Sequence, residues 1–195
     1  MPNATRPFVF INKPALISGP PFNVDPTRVR FAPGWTLGVE RLSEAGFGLT
    51  LVSNESGIAF GYYDNHTLEI LHRHVAARFA GRGLELSAFL YCPHHPDGTV
   101  SRYARTCDCH LPQPGLFIRA AAELEADLRR SWIIGSSADD LVAARNAGCR
   151  AIIVDSGHEP ELLVTRRPAQ SQRVAPDLIT AAGLIIDESH AEAAA

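Results

Sequence analysis

The chain has 195 residues, 46% of them apolar and 20% charged, with a formal net charge of −3. A chain of this length is expected to form one domain, residues 1–195, burying roughly 70% of its unfolded surface. That composition excludes a disordered chain, and the charge excludes a strongly cationic nucleic-acid binder. No stretch approaches the ~18 apolar residues of a membrane span. Met1 to Arg6 carries neither the charged nor the apolar region of a signal peptide, so a cytoplasmic location and no membrane partner are expected.

In chain order, Phe8-Val-Phe-Ile11 is a β-rich run, and Pro33 to Gly46 has helical spacing through Leu37, Leu42 and Ala45. Gly48 to Val52 reads as a buried strand. Asp64 to Ala80 reads as a helix with Leu68, Leu71, Val75 and Phe79 on one face and Asp64 as its cap. His72 and His74, two apart, do not share a face, and solvated positions are expected for them in place of a metal site. Ser87 to Tyr91 is a strand. Pro114 opens a helix carrying Phe117, Ala121, Leu124 and Leu128, with proline at the favoured first position. Trp132-Ile-Ile134 is a strand, Asp139 to Ala147 a helix opened by acidic residues, and Ala151 to Val154 a strand. Residues 156–176, including Arg166 and Arg167, read as polar loop. The tail from Asp177 holds one more element of undetermined type, and Ala191 to Ala195 is expected to fray.

Strands that are apolar on both sides, alternating with helices, predict a mostly parallel sheet covered by helices. Ligands bind such sheets at the carboxyl ends of the strands. Residues Asn12 to Pro14, Ser53 to Gly57 and Gly135 to Asp140 should therefore converge. Lys13 is the single lysine among 18 basic residues. Its place next to Asn12 points it away from that residue, as side chains alternate along a strand. Ser53 and Asn54 either bind an anion or shape the turn towards Gly57 and Gly61. Tyr62 and Tyr63 either cover the site entrance or pack.

Cys92-Pro-His94 is followed by Cys107-Asp-Cys109. Three thiolates and an imidazole suit a tetrahedral Zn²⁺. The loop between them has too little apolar content to order itself, and four protein ligands would close the site, making it structural. His95 is the rival imidazole, and unpaired thiols or a disulfide are the alternatives. Cys149 reads as a small buried hydrophobe.

Cys92-Pro-His-His95, Cys107-Asp-Cys109 and Ser53-Asn-Glu-Ser-Gly-Ile-Ala59 together resemble the D-glycero-D-manno-heptose-1,7-bisphosphate 7-phosphatases. These belong to the haloacid-dehalogenase superfamily, near the histidinol-phosphate phosphatases. The resemblance runs from about Phe8 to about Asp155, and more weakly to Leu184. It implies a Rossmann-like three-layer α/β fold with a zinc-binding loop at about 92–109 inserted within it. It also implies phosphoryl transfer to an aspartate, assisted by Mg²⁺. In such enzymes the first strand ends in Asp-x-Asp-Gly-Thr: the first Asp attacks phosphorus and the second is acid and base.

The sequence departs from that pattern. Asn12 stands at the nucleophile and Pro14 at the acid/base. Leu111 replaces the phosphate-neutralising Lys, and Ser136 a metal-binding Asp. His110 stands at a substrate-contacting Arg. Ser53, Asn54 and Asp140 are kept. A carboxamide is a poor nucleophile, proline has no titratable proton, and Mg²⁺ wants anionic oxygens. The expectation is a catalytically impaired homologue that binds a sugar phosphate, a small polar ligand or a protein partner, with Ser53, Asn54 and His110 lining its pocket. The alternatives are a working phosphatase using His110, Asp108 or Asp140, and a structural subunit that contacts its partner through the zinc loop.

Overall fold

The computed structural model describes residues 5–154 and 174–193. The order is β1 (Phe8–Asn12), α1 (Lys13–Leu16), β2 (Ile17–Ser18), β3 (Arg30–Phe31), α2 (Trp35–Glu44), β4 (Gly48–Asn54), α3 (Asn65–Ala80), β5 (Ala88–Cys92), α4 (Gly115–Leu124), β6 (Trp132–Gly135), α5 (Ala138–Ala147), β7 (Arg150–Val154), β8 (Val174–Ala175) and α6 (Leu178–Ala193). Six strands form one parallel sheet in the order β5-β4-β1-β6-β7-β8. β2 and β3 pair as a separate antiparallel ribbon.

Strand alternation divides the apolar residues between two cores. Val9 and Ile11 of β1 pack with Leu49, Leu51 and Ile134 under α2, α3 and α6. Phe8 and Phe10 face the other way, onto Leu116, Phe117 and Ala120 of α4 and Ala143, Ala144 and Ala147 of α5. The fold is thus three layers with helices on both faces of a parallel sheet, as the sequence implies. None of the described helices is long and apolar enough to cross a membrane.

Several boundaries differ for identifiable reasons. The helix expected over 33–46 begins at Trp35, because Gly34 takes a left-handed φ of 70°. The helix opened at Pro114 stops at Leu124. There Glu125 turns left-handed (φ 56°), and Ala126 then bridges to Arg6. Leu128 falls instead in a separate 3₁₀ turn. The untyped tail is a helix, and 191–193 continue it rather than fray. The expected loop 156–176 lies mostly outside the described residues, with Arg166 and Arg167; its end, Val174–Ala175, is strand.

His72 corrects a further expectation. It is half-buried against the sheet: its ring stacks on Phe89 at 3.5 Å and meets Tyr91 edge-on at 5.4 Å. Its Nε2 is buried without a hydrogen-bond partner among the described residues. Burial, above all, holds its pKa down at about 4, while the Glu55 carboxylate pulls upward and the Lys13 ammonium downward. A folded-state value below the ordinary 6.5 means that the folded protein binds fewer protons than the unfolded chain between those values. Its contribution is fully present above about pH 6.5 and lost as pH falls towards 4. Urea midpoints should therefore fall from pH 7 to pH 5 more in the native protein than in His72→Phe; equal changes would refute this.

Candidate functional site: an internally paired crevice and a thiol cluster

β1 lies between β4 and β6, so the chain folds outward in both directions from it and opens a crevice at its carboxyl end. Asn12, 8% exposed, ends β1 there. Its Nδ2 donates to Asp140 Oδ1 at 2.6 Å. The other carboxylate oxygen of Asp140 accepts from the Ser136 and Ser137 backbone N–H groups at 2.9 and 3.0 Å and from Ser137 Oγ at 2.9 Å. Ser137 and Asp140 form a capping box at the start of α5. Gly135 permits this closeness, since a Cβ there would lie 2.3 Å from Asp140 Cβ. Burial pushes the Asp140 pKa up, and these donors pull against it.

These residues do not fit Mg²⁺, which favours several anionic oxygens in near-octahedral array. Asn12 offers an amide already turned to Asp140, and Asp140 is occupied by four donors. Pro14 is exposed and brings no donor side chain.

The neighbouring positions are also in internal use. Asn54 Nδ2 donates to the Leu111 carbonyl at 3.1 Å, and Asn54 Oδ1 accepts from the Leu111 N–H at 2.9 Å. Leu111, 5% exposed, packs into the core under α4 and α5. An apolar side chain thus closes the place where the resemblance implies an ammonium group. Ser53 is buried and donates its hydroxyl to Glu55 Oε1 at 2.5 Å.

Glu55 is the residue that motif reading missed. Only 1% exposed, it accepts from Lys13 Nζ and Ser53 on one oxygen and from the Tyr63 hydroxyl at 2.5 Å on the other. Burial first, then Glu55, pushes the Tyr63 pKa up, so the phenol stays a donor. Lys13 faces away from Asn12 because α1 begins at it, turning the chain immediately after β1. The available signal was the chain's single lysine in one converging segment and a glutamate in another.

A second cluster forms where β5 ends. One ligand atom from each of Cys92, His94, Cys107 and Cys109 lies within 4.8 Å of the others. Sulfur separations are 3.1 Å (Cys92–Cys109), 3.4 Å (Cys107–Cys109) and 3.5 Å (Cys92–Cys107). His94 Nδ1 lies 3.4 Å from Cys109 Sγ. Tetrahedral Zn–S bonds of about 2.3 Å would set the sulfurs about 3.8 Å apart, so an ion fits after an outward shift of a few tenths of an ångström. Burial pushes the Cys92 and Cys109 thiols up. At Cys107 burial acts the same way but is outweighed by hydrogen bonds from Cys109 and Cys92, and the net shift is downward. A cation is what would let all three ionise together.

His95 is not part of this group; it accepts from the Asp97 N–H at 3.2 Å and packs on Phe60. His110 Nδ1 lies 3.7 Å from Cys92 Sγ, so His110 borders the thiols and not the cavity beside Glu55. Asp108 is exposed. Burial raises the Cys149 thiol to about 12, as suits an inert, half-buried thiol.

Residues 109–181 match the family described as "HAD-hyrolase-like". The D-glycero-beta-D-manno-heptose-1,7-bisphosphate 7-phosphatase of Vibrio cholerae serotype O1 is 34% identical over 149 residues, covering 73% of this chain and 77% of that protein. The enzyme of the same name from Photorhabdus laumondii is 39% identical over 115 residues, 59% of this chain; the match spans 61% of that relative's length. The structure of D,D-heptose 1,7-bisphosphate phosphatase from B. bronchiseptica, complexed with magnesium and phosphate, superposes with a TM-score of 0.81 at 28% identity, covering 93% of this chain and 99% of that one. By the extent of these matches, the chain belongs to the D-glycero-beta-D-manno-heptose-1,7-bisphosphate 7-phosphatase family of haloacid-dehalogenase-like proteins.

Proposed function

We propose that this chain is a binding protein on a phosphatase fold, one that does not transfer phosphoryl groups, with a structural Zn²⁺ in its thiol loop. The hydrogen bond from Asn12 to Asp140 carries the reading. At the end of β1 a phosphatase of this superfamily needs an unpaired carboxylate facing the substrate. Here a neutral amide donates its hydrogen to the one carboxylate kept from the family pattern, and neither group is free to attack phosphorus. Phosphoryl transfer depends on positioning and on neutralising charge on the transferred group. The substituted positions remove nucleophile, acid, ammonium and metal-binding carboxylate together, while Lys13 is already paired with Glu55.

The zinc assignment rests on the donor set. Cys92, His94, Cys107 and Cys109 would hold the ion, and with four protein ligands no position stays open for substrate. Its contribution is cohesion of the loop. Arg105 donates to His94 Nε2 at 2.9 Å. Ligation through Nδ1 would leave the imidazole hydrogen on Nε2, where Arg105 now donates, so that contact would have to open.

Phosphate release from heptose 1,7-bisphosphate and a panel of small phosphate monoesters, with and without Mg²⁺, tests the loss of catalysis. No release above a heat-treated control is expected. Mg²⁺-dependent release that tracks the protein through purification would overturn the proposal.

A further inference from the structure

A cavity of about 410 Å³ lies beside the crevice, between the β2–β3 ribbon and the loop after β4. It falls within the ~300–1,000 Å³ of small-molecule sites. Lys13, Asn54, Glu55 and Tyr63 line its inner side; Phe22 and Asn23 line the ribbon side. Among the described residues that line it, only Lys13 and Glu55 are charged, and they pair with each other.

That pairing decides what the cavity can take. Lys13 Nζ, Ser53 Oγ and Tyr63 OH converge as an anion-binding set, and the Glu55 carboxylate already occupies it. An entering phosphate would have to displace a carboxylate that is 1% exposed or share its single cation. Lys13 keeps further N–H groups for a hydroxyl oxygen, and the Tyr63 oxygen keeps its acceptor capacity. Both suit neutral partners.

Phe22, which lines the cavity, continues outside it into an aromatic patch with Tyr62 and Phe60. Phe22 is 51% exposed and Tyr62 64% exposed, with ring centroids 4.9 Å apart. Phe60 backs both, at 6.4 and 5.8 Å. Phe22 is held at φ 55°, a left-handed conformation that bulky residues rarely adopt. Aromatic faces are electron-rich, and the C–H bonds of a sugar ring present polarised hydrogens to them.

We propose that this cavity binds an uncharged polyhydroxylated ring, a free sugar and not its phosphate ester, with Glu55 filling the seat an anion would need. The inference deepens the non-catalytic reading above and rests on it. Sugar hydroxyls bond to Lys13 and Tyr63, and the apolar face of the ring lies on Phe22.

Ligand-observed NMR on the full, metal-replete chain tests this, using D-glycero-D-manno-heptose, D-mannose and their phosphate monoesters as probes. At least one free sugar should bind saturably, and its monoester no more tightly. Phe22→Ala and, separately, Tyr62→Ala should weaken sugar binding, the former about tenfold. Both positions are exposed, so unchanged melting temperatures are expected. Glu55→Gln should raise monoester affinity about tenfold by releasing Lys13. No saturation by either sugar up to ~10 mM, or a native protein that prefers the monoester about tenfold, overturns the proposal. An unchanged monoester affinity in Glu55→Gln overturns the role given to Glu55. Phosphate release, followed on the same samples, reports separately: turnover defeats the non-catalytic reading, whereas silent binding without turnover defeats only this inference.

Discussion

Stripping metal from the protein should lower its melting temperature by about 10 °C, the shift that a loss of roughly 3–5 kcal/mol produces in a chain of this size. The reason lies in what the thiol loop lacks. No residue from 93 to 110 is fully buried; Tyr103 packs on the core edge and Thr99 and Val100 donate to the Ala59 carbonyl, and the proposed ion would supply the rest of the loop's order. The consequence spreads inward. Leu111 follows directly, with its side chain in the core and its backbone clasped by Asn54 at the end of β4. A loosened loop therefore pulls on the strand end that carries Ser53 and Glu55. Native protein should contain one zinc per chain, and Cys107→Ser should reproduce the melting shift of chelated protein. A melting temperature indifferent to chelation, with no zinc in the native sample, would defeat the structural assignment.

The layers of the fold were legible because β1 and its neighbours are apolar on both faces, which only a sheet with helices on both sides tolerates. The convergence of Asn12, Ser53 and Asp140 followed from the same topology, since all three lie at carboxyl ends of adjacent strands or just beyond. The cysteine spacing picked out Cys92, His94, Cys107 and Cys109, with His95 as the rival imidazole, and the structure brings those four together; the backbone path turns His94, not His95, towards the thiols. Glu55 was not legible. Its significance comes from meeting Lys13, 42 residues away; the sequence showed a lone lysine and a glutamate in two converging segments, but no local pattern encodes that they pair. His72 escaped for a related reason. It borders the Leu68–Leu71–Val75–Phe79 stripe of α3, and whether a flanking position is wet depends on the width of the neighbouring strand, here filled by Phe89.

Returning a carboxylate to the end of β1 should damage the protein without reviving catalysis. Asn12 donates to Asp140 Oδ1 at 2.6 Å in a site where Asn12 is 8% and Asp140 1% exposed. Asn12→Asp replaces that donor with a second buried carboxylate, and two such groups in contact cannot both stay ionised. One must keep a proton, so the folded-state pKa of the pair rises above that of the free side chains. The sign follows from linkage: the folded variant binds more protons than its unfolded chain at neutral pH, and its stability falls as pH rises above about 4. A loss of about 2–4 kcal/mol at pH 8 is expected, the linkage cost of holding a proton on one carboxyl far above its ordinary pKa, and most of it should return near pH 4. Urea unfolding of variant and native protein across that range measures the difference directly. Equal stability at both ends would mean that water reaches the Asn12–Asp140 contact and relieves the repulsion. Phosphate release should stay at background with Mg²⁺ present, because Pro14, Leu111 and Ser136 still supply no acid, no ammonium and no metal-binding carboxylate. Turnover restored by this one substitution would show instead that the crevice retains everything but its nucleophile, and that the internal hydrogen bond alone had silenced it.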